Sequence, residues 1–524
     1  MYLRNIDIVG FRGISRLSMT LRPNMVLIGE NAWGKSSLLD ALSLIFNAEQ
    51  KRYQFLYSDF HVTAGKSPSV SNQITLLFSF SNSFIDEHLD LQHQCYQALF
   101  IEHQDQYHRV YLKVSGERTE NEIQTYYDFI DQNGEEIYLE NKEEIITKLL
   151  QYFPVFRFRD ARLKEHRSFK QCYIDDGDGC NHLFDEKINA LVLLLQYYFF
   201  HDENKQLLLK TIPDPSVLWS KVKQLCSDLR TGDLALRQTL FEKISQFFIP
   251  ISEKSEFGAV LQPIVLFEDP DARLHPRMVA IIWELMQFLP IQRITTTNSV
   301  ELLSQVELRS ICRLVRSPNA IKAYQLSKYT LSKQALRRLT FHIHYNRSIA
   351  LFANAWILVE GETEVWLLSA LAEQLGINLE LEGIRIVEFA QSGLTPLLKY
   401  VKAMGIEWHV LTDGDIAGKK YAEAVKSMLD EHETTSERLT ILPKSDIEHF
   451  LYFSGFASIF IHLSRWKAQG NYYPATKIIQ QAIRRTSKPD LALALASEIQ
   501  KRGKESIPTL FTRLFSRVIN FVRE

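Results

Sequence analysis

The chain has 524 residues, more than one ordinary core accommodates, so two or three domains are expected. Hydrophobic residues make up 46% and charged residues 23%, which excludes a chain dominated by disorder, and a formal charge of −2 excludes a uniformly basic nucleic-acid coat. Five cysteines (Cys95, Cys172, Cys180, Cys226, Cys312) lack CxxC pairing or zinc-type spacing and read as reduced thiols; Arg4 and Asp7 interrupt any signal-peptide core. A cytoplasmic protein is expected. The longest apolar run, Ala190 to Phe200, is broken only by Gln196 and falls short of the roughly 20 residues that cross a bilayer. No membrane partner is expected, and the run reads as a buried helix or a subunit contact.

In chain order, alternation predicts three short strands, Tyr2 to Val9, Arg16 to Leu21 and Met25 to Ile28. A Gly-rich turn follows, and Leu38, Leu39, Leu42, Ile45 and Phe46 then recur at helical spacing. Residues 70 to 160 read as further β structure, with Ile74 to Phe80 and Phe153 to Phe158 the clearest strands. From about 165 to 250 the pattern is helical, around Leu191–Leu195, Leu207–Leu209 and Leu236–Phe248, without a heptad or repeat. A short helical insertion and possible dimerisation element is expected there, and no coiled-coil arm. A buried strand Ile264 to Phe267 leads into Glu268-Asp269-Pro270, then a helix from about Pro276 to Phe288 and a strand ending at Ile294. A second α/β unit begins at Trp356 to Val359 and continues through Ile384 to Phe389 and His409 to Leu411. The polar run HIHYNRS places the boundary near residue 345, giving units 1–345 and 346–524. Strands alternating with helices predict an α/β fold with parallel sheets in both halves.

Gly29-Glu-Asn31-Ala-Trp-Gly34-Lys35-Ser36 fits GxxxxGK[ST] between a strand and a helix. In that context backbone N–H groups cradle phosphates, Lys35 reaches the β and γ oxygens and the Ser36 hydroxyl holds Mg²⁺. ATP with Mg²⁺ is therefore the expected ligand. The strand IVLFEDP delivers Glu268 and Asp269 to its C-terminal edge, where Glu268 would complete the Mg²⁺ shell and Asp269 would orient or deprotonate water.

In the second unit, Ile357-Leu-Val-Glu360-Gly361-Glu362-Thr-Glu364 ends a buried strand in a carboxylate and a glycine, and His409-Val-Leu-Thr-Asp413-Gly414-Asp415 ends another in two aspartates. Acids converging from strand ends suit Mg²⁺ or Mn²⁺, one ion activating water and the other stabilising the leaving oxygen of a phosphodiester. Glu360, Glu364, Asp413 and Asp415 are the candidate ligands. Each piece alone fits an ordinary turn.

Phe11-Arg12-Gly13, the GENxxGKSS loop (which brings in Asn31 and Ser37) and EDPxxxLHP from Glu268 to Pro276 resemble the ABC-type ATPase heads of the OLD family, relatives of SMC and RecF ATPases. LVEGETE followed by a strand ending in DGD, with Gly418 beyond, resembles the Toprim fold of topoisomerases, primases and OLD nucleases. The resemblance implies an N-terminal ABC ATPase head with a helical insertion, a C-terminal Toprim domain, nicking or cutting of DNA, and a homodimer or higher homo-oligomer. It nominates Arg12 beside the nucleotide, Glu448 in Asp446-Ile-Glu448-His-Phe-Leu451 as a late metal ligand, and a late catalytic lysine, Lys488 first and Lys504 second. Two departures stand out. Thr295-Thr-Thr-Asn298-Ser299 carries Asn298 where a switch histidine is expected, implying slow hydrolysis, and Ser255-Glu-Phe-Gly258 is the best remnant of a signature segment. Basic residues Arg157, Arg159, Arg162 and Lys164 are candidates for substrate contact. The alternative is a non-catalytic, ATP-switched DNA-binding or repair factor with a structural Toprim domain. A topoisomerase lacks room here for a tyrosine-bearing domain, and a primase would need a zinc-binding cysteine cluster.

Overall fold

The computed structural model describes residues 1–47, 51–63, 69–120, 122–158, 182–199, 215–232, 234–246, 262–272, 274–289, 291–346, 348–467 and 474–523. Contacts divide the chain into two units, Met1–Tyr324 and Gln325–Glu524.

Among the described residues, the first unit is built on a twelve-stranded mixed sheet. Its strands include β1 (Tyr2–Phe11), β2 (Ile14–Thr20), β3 (Asn24–Ile28), β4 (Gln73–Ser81), β5 (His108–Arg118), β6 (Ile123–Phe129), β7 (Val155–Phe158), β8 (Ile264–Glu268), β9 (Gln292–Thr296), β10 (Ile311–Arg316) and β11 (Ile321–Gln325). One half runs β7-β8-β9-β3-β10 and its pairings are parallel. The other half, β2-β1-β4-β5-β6, is antiparallel, so only part of the head has the parallel sheet that strand–helix alternation predicts. The physical reason is visible in burial. β8 is buried at Ile264, Val265, Leu266 and Phe267 in succession, as a strand covered on both faces must be. β5 alternates buried and partly exposed residues, the mark of a sheet with one wet face. The expected β region also contains a helix, Lys142–Tyr152, which buries Ile145, Ile146, Leu149 and Leu150 at helical spacing.

The helical stretch is present as His182–Phe199, Pro215–Arg230 and Leu234–Gln246. Ala190, Leu191, Val192 and Leu194 are buried, and their helix packs on Pro215–Arg230. Leu207–Leu209 lie outside the described residues. Strand β9 extends two residues past Ile294, because Thr295 and Thr296 are β-branched and buried between β8 and β3.

The second unit carries a four-stranded parallel sheet of β12 (Ala355–Val359), β13 (Ile384–Glu388), β14 (Glu407–Thr412) and β15 (Leu439–Ile441), in the order β13-β12-β14-β15. All five residues of β12 are buried. Helix α4 (Glu362–Gln374) follows β12 directly, and a C-terminal group of helices closes the core through Leu491, Leu495, Ile499, Phe511 and Leu514. Fully burying each such side chain contributes about 1.5–3 kcal/mol. The polar run read as a linker is mostly helix: Lys333–Asn346 buries Leu339, His342 and Ile343 and packs on Leu394–Ala403 within this unit. The contact boundary accordingly falls earlier, after Tyr324.

Candidate functional site

The phosphate loop leaves β3 at Ile28 and enters helix α1 (Lys35–Ile45) through Gly34, whose φ of 88° is open to glycine at little cost. A Cβ there would also lie 2.5 Å from Ile321 Cδ1. Lys35 is 8% exposed, and its ammonium donates to the Gly29 carbonyl and to Asn298 Oδ1 at 3.4 Å. Burial lowers its pKa, against the opposing pull of Asp269 and Glu30. Ser36 Oγ donates to Glu268 Oε1 at 3.3 Å, so the two side chains expected to share Mg²⁺ converge. Ser37 takes a different part. Its hydroxyl accepts the Gly13 N–H at 3.2 Å and ties the turn after β1 to the loop.

Parallel pairing of β8 with β9 sets Glu268 opposite Thr296. The tip of β9 then holds the site by three successive side chains. Thr296 Oγ1 donates to Asp269 Oδ1 at 3.2 Å, Thr297 Oγ1 to Asp271 Oδ1 at 2.6 Å, and Asn298 meets Lys35. Burial raises the carboxyl pKa of both Asp269 and Asp271. Asp269 is also held at φ 46°, a costly conformation for a residue with a Cβ.

Arg12, at φ 45°, donates through Nε to Asp59 Oδ1 at 2.9 Å and pairs through Nη1 with Asp40 of α1. It stands next to the loop, with its guanidinium engaged by two carboxylates. Arg157, read as a substrate contact, is instead a buried member of this site. Its Nε donates to Glu268 Oε2 at 2.9 Å and its Nη1 pairs with Asp40. The signal was a single arginine in an otherwise apolar four-residue strand; Asp40, Asp59, Asp271 and the two threonines carried none. Arg159, Arg162, Lys164 and the segment Ser255–Gly258 lie outside the described residues.

In the second unit Glu360 and Asp413 leave the C-terminal ends of neighbouring parallel strands, the edge where such sheets collect ligands. Glu364 is in the first turn of α4, and its Oε2 accepts the Gly361 N–H at 3.1 Å. Asp415 caps helix α5 (Ile416–Lys426), its Oδ1 accepting the Gly418 N–H at 2.7 Å. Glu448 lies in helix α6 (Ile447–Leu451), which Asp446 caps. Helix α7 (Ala475–Thr486) turns at Ser487, a non-glycine residue at φ 80°, into helix α8 (Lys488–Arg502), so that Lys488 Nζ stands 3.6 Å from Glu448 Oε1. Lys504 lies exposed in the turn Lys504–Ser506 and has no ion pair among the described residues.

The electrostatics bind this group together. Burial, with Glu364, Glu360, Asp446 and Glu448 adding to it, pushes the Asp413 carboxyl up to about 8. Burial and Glu448 push Glu364 up to about 7. Burial and Asp415 raise Glu360, and burial raises Glu448 against Lys488. Glu448 in turn raises Lys488, helped by Glu364, Asp446 and Asp413. One lysine thus serves several carboxylates, and Glu360 Oε2 and Glu448 Oε1 are buried without a hydrogen-bond partner. Among the described residues no three His, Cys, Asp or Glu side chains stand close enough to enclose an ion as they are. These oxygens without a hydrogen bond, and the excess of carboxylates around Lys488, nevertheless fit a divalent cation.

A phosphate loop coupled across a parallel sheet to an acidic strand end, followed by a second parallel sheet tipped with acids, is the plan of an ABC-type head joined to a Toprim domain, the organisation of OLD-family proteins. Residues 1–350 match the family described as "Protein of unknown function (DUF2813)", to which the chain belongs, and residues 351–415 match "Overcoming lysogenization defect protein-like, TOPRIM domain". The "Uncharacterized protein YbjD" of Escherichia coli (strain K12) is 38% identical over 557 residues, covering 100% of this chain and 99% of that protein. Among solved structures, the C-terminal region of the Burkholderia pseudomallei OLD protein is 20% identical with a TM-score of 0.28, over 33% of this chain and 99% of that one. The SMC head domain from Thermotoga maritima is 12% identical with a TM-score of 0.33, over 62% and 100%. No helix among the described residues is long and apolar enough to cross a membrane. Cys95 is half-buried, Cys226 and Cys312 are buried, and Cys172 and Cys180 lie outside the described residues.

Proposed function

We propose that the protein is an ATP-binding, metal-dependent DNA endonuclease whose Toprim unit cuts phosphodiester bonds under control of the ATPase head. The observation that carries this reading is the acid group at and around the ends of β12 and β14, with buried oxygens of Glu360 and Glu448 that accept no hydrogen bond and Lys488 beside them. Mg²⁺ or Mn²⁺, when bound, supplies an activated water and neutralises charge on the scissile phosphate. Glu360, Glu364, Asp413, Asp415 and Glu448 would hold the cations, and Lys488, through its ammonium, would offset charge on the phosphate. Arg484 and Arg485, exposed in the last turn of α7 and without an ion pair among the described residues, lie within four residues of Lys488 and suit neighbouring backbone phosphates.

In the head, Gly29, Asn31, Gly34 and Lys35 would cradle the nucleotide phosphates, with Ser36 and Glu268 on Mg²⁺ and Asp269 on the attacking water. Asn298 accepts a hydrogen bond from Lys35 and cannot become a cation, which supports slow turnover. A second copy of the chain would complete the site from the opposite side.

Incubation of purified protein with supercoiled plasmid and Mg²⁺ or Mn²⁺ tests the nuclease reading. Nicked or linear product is expected, and intact plasmid under both metals contradicts it. One observation favours the second reading, an ATP-switched DNA-binding factor: Glu364 and Asp415 each commit an oxygen to a backbone N–H. Under that reading plasmid is retained by the protein but remains uncut.

A further inference from the structure

We infer that Arg157 is a positioning residue of the head, one that fixes how Glu268 is presented to nucleotide-bound Mg²⁺. This rests on the reading of Gly29 to Ser36 as a nucleotide–Mg²⁺ site and assigns a residue that no phosphate-loop or acidic-strand motif contains. The register of β7 on β8 pairs Arg157 with Leu266, so its side chain reaches along the sheet to the C-terminal edge where Glu268 ends β8. There the guanidinium occupies one oxygen of Glu268. Nε donates to Oε2 at 2.9 Å and Nη2 lies 2.7 Å from the same atom, while Oε1 is turned to Ser36 Oγ at 3.3 Å. The carboxylate is thereby split into a held oxygen and a presented one. Rotation of Glu268 to offer both oxygens to a cation would break the Arg157 contact.

Arg157 is itself held. Its side chain is 7% exposed, and Nη1 pairs with Asp40 Oδ1, whose other oxygen takes Arg12, which in turn pairs with the fully buried Asp59. Charges of alternating sign therefore run Asp59, Arg12, Asp40, Arg157, Glu268, from the turn after β1 to the cation site. A planar guanidinium engaging two carboxylates through separate nitrogens is pre-organised in a way that a lysine is not. Groups that orient a metal ligand in this manner are worth about 10–100-fold in metal affinity.

The test is binding of a fluorescent ATP analogue to the full chain, titrated with Mg²⁺ and repeated in EDTA, with thermal unfolding recorded for each variant. Arg157→Ala is expected to lose about tenfold of the Mg²⁺-dependent gain in affinity while its affinity in EDTA stays within about twofold of wild type, and Arg157→Lys to recover only part of the gain. An undiminished Mg²⁺ gain in Arg157→Ala overturns the inference. So does an equal loss in EDTA and Mg²⁺, which is the signature of a purely structural ion pair. Where Arg157→Ala does not fold, Arg157→Lys decides, and a wild-type gain there overturns the role. Wild-type protein without any Mg²⁺ gain contradicts the nucleotide–Mg²⁺ reading itself and takes this inference with it.

Discussion

Lys35 is the residue on which the proposed nucleotide site turns. Its ammonium is buried, is held by the Gly29 carbonyl and Asn298, and already has a depressed pKa, so an incoming phosphate meets a cation that costs little further desolvation. Lys35→Ala is expected to abolish ATP binding with the fold retained, as read by nucleotide titration and circular dichroism; normal affinity in the variant would disprove the site. Backbone strain marks the same places. Of the six non-glycine residues at positive φ among the described residues, Arg12, Ala32, Asp269 and Ser487 lie at or beside the two candidate sites, which is where a surrounding structure over-determines costly conformations. Close packing does comparable work at Gly418, where a Cβ would fall 2.0 Å from the Asp413 carbonyl oxygen. Gly418→Ala should therefore destabilise the second unit by about 1–3 kcal/mol, visible as a lowered unfolding midpoint. An unchanged midpoint would show that the Asp413 turn is softer than this contact implies.

Among the elements, β14 joins stability to the site. Asp413 follows its last residue, Thr412, and within it His409 is fully buried, its Nδ1 2.6 Å from the Glu437 carbonyl oxygen and its Nε2 2.8 Å from Thr440 Oγ1 on β15. Burial, reinforced by Arg517 and Arg438, lowers its pKa from 6.5 to about 4. A folded-state pKa below the unfolded one contributes stability that is complete above about 6.5 and is lost as pH falls toward 4, about 3 kcal/mol in all at about 1.4 kcal/mol per pH unit. Denaturant titrations of the full chain should show that acid loss, and His409→Gln should flatten it. An unchanged acid limb in the variant would assign it to other groups. The strands that lead into the candidate sites were the legible ones, since β3, β12 and β14 are short, largely apolar runs followed directly by Gly29, Glu360 and Asp413, and β8 ends in Glu268. The helix at Lys142–Tyr152 was hidden by its acidic start, Glu143 and Glu144, and the linker reading at HIHYNRS mistook polarity for exposure when His342 is buried. Long-range register was the least legible part. No local pattern told that Arg157 would sit beside Glu268, on a strand separated from β3 and its phosphate loop by β8 and β9, instead of on a surface facing substrate.

For the whole molecule, two units each place their acids at the C-terminal ends of parallel strands, one beside a phosphate loop and one beside Lys488. The head carries Asn298, which is not titratable, and the Toprim unit gathers carboxylates around Lys488. Under the proposed function, this arrangement predicts that ATP turnover and DNA cleavage are separable by mutation. The most direct test is plasmid cleavage by wild-type protein and by Asp413→Ala/Asp415→Ala in Mg²⁺ or Mn²⁺, each at a matched, measured rate of ATP hydrolysis. Cleavage by the wild type alone, with hydrolysis equal in both, is the predicted result. Equal cleavage by the double variant, or intact plasmid with the wild type under both metals, would contradict it.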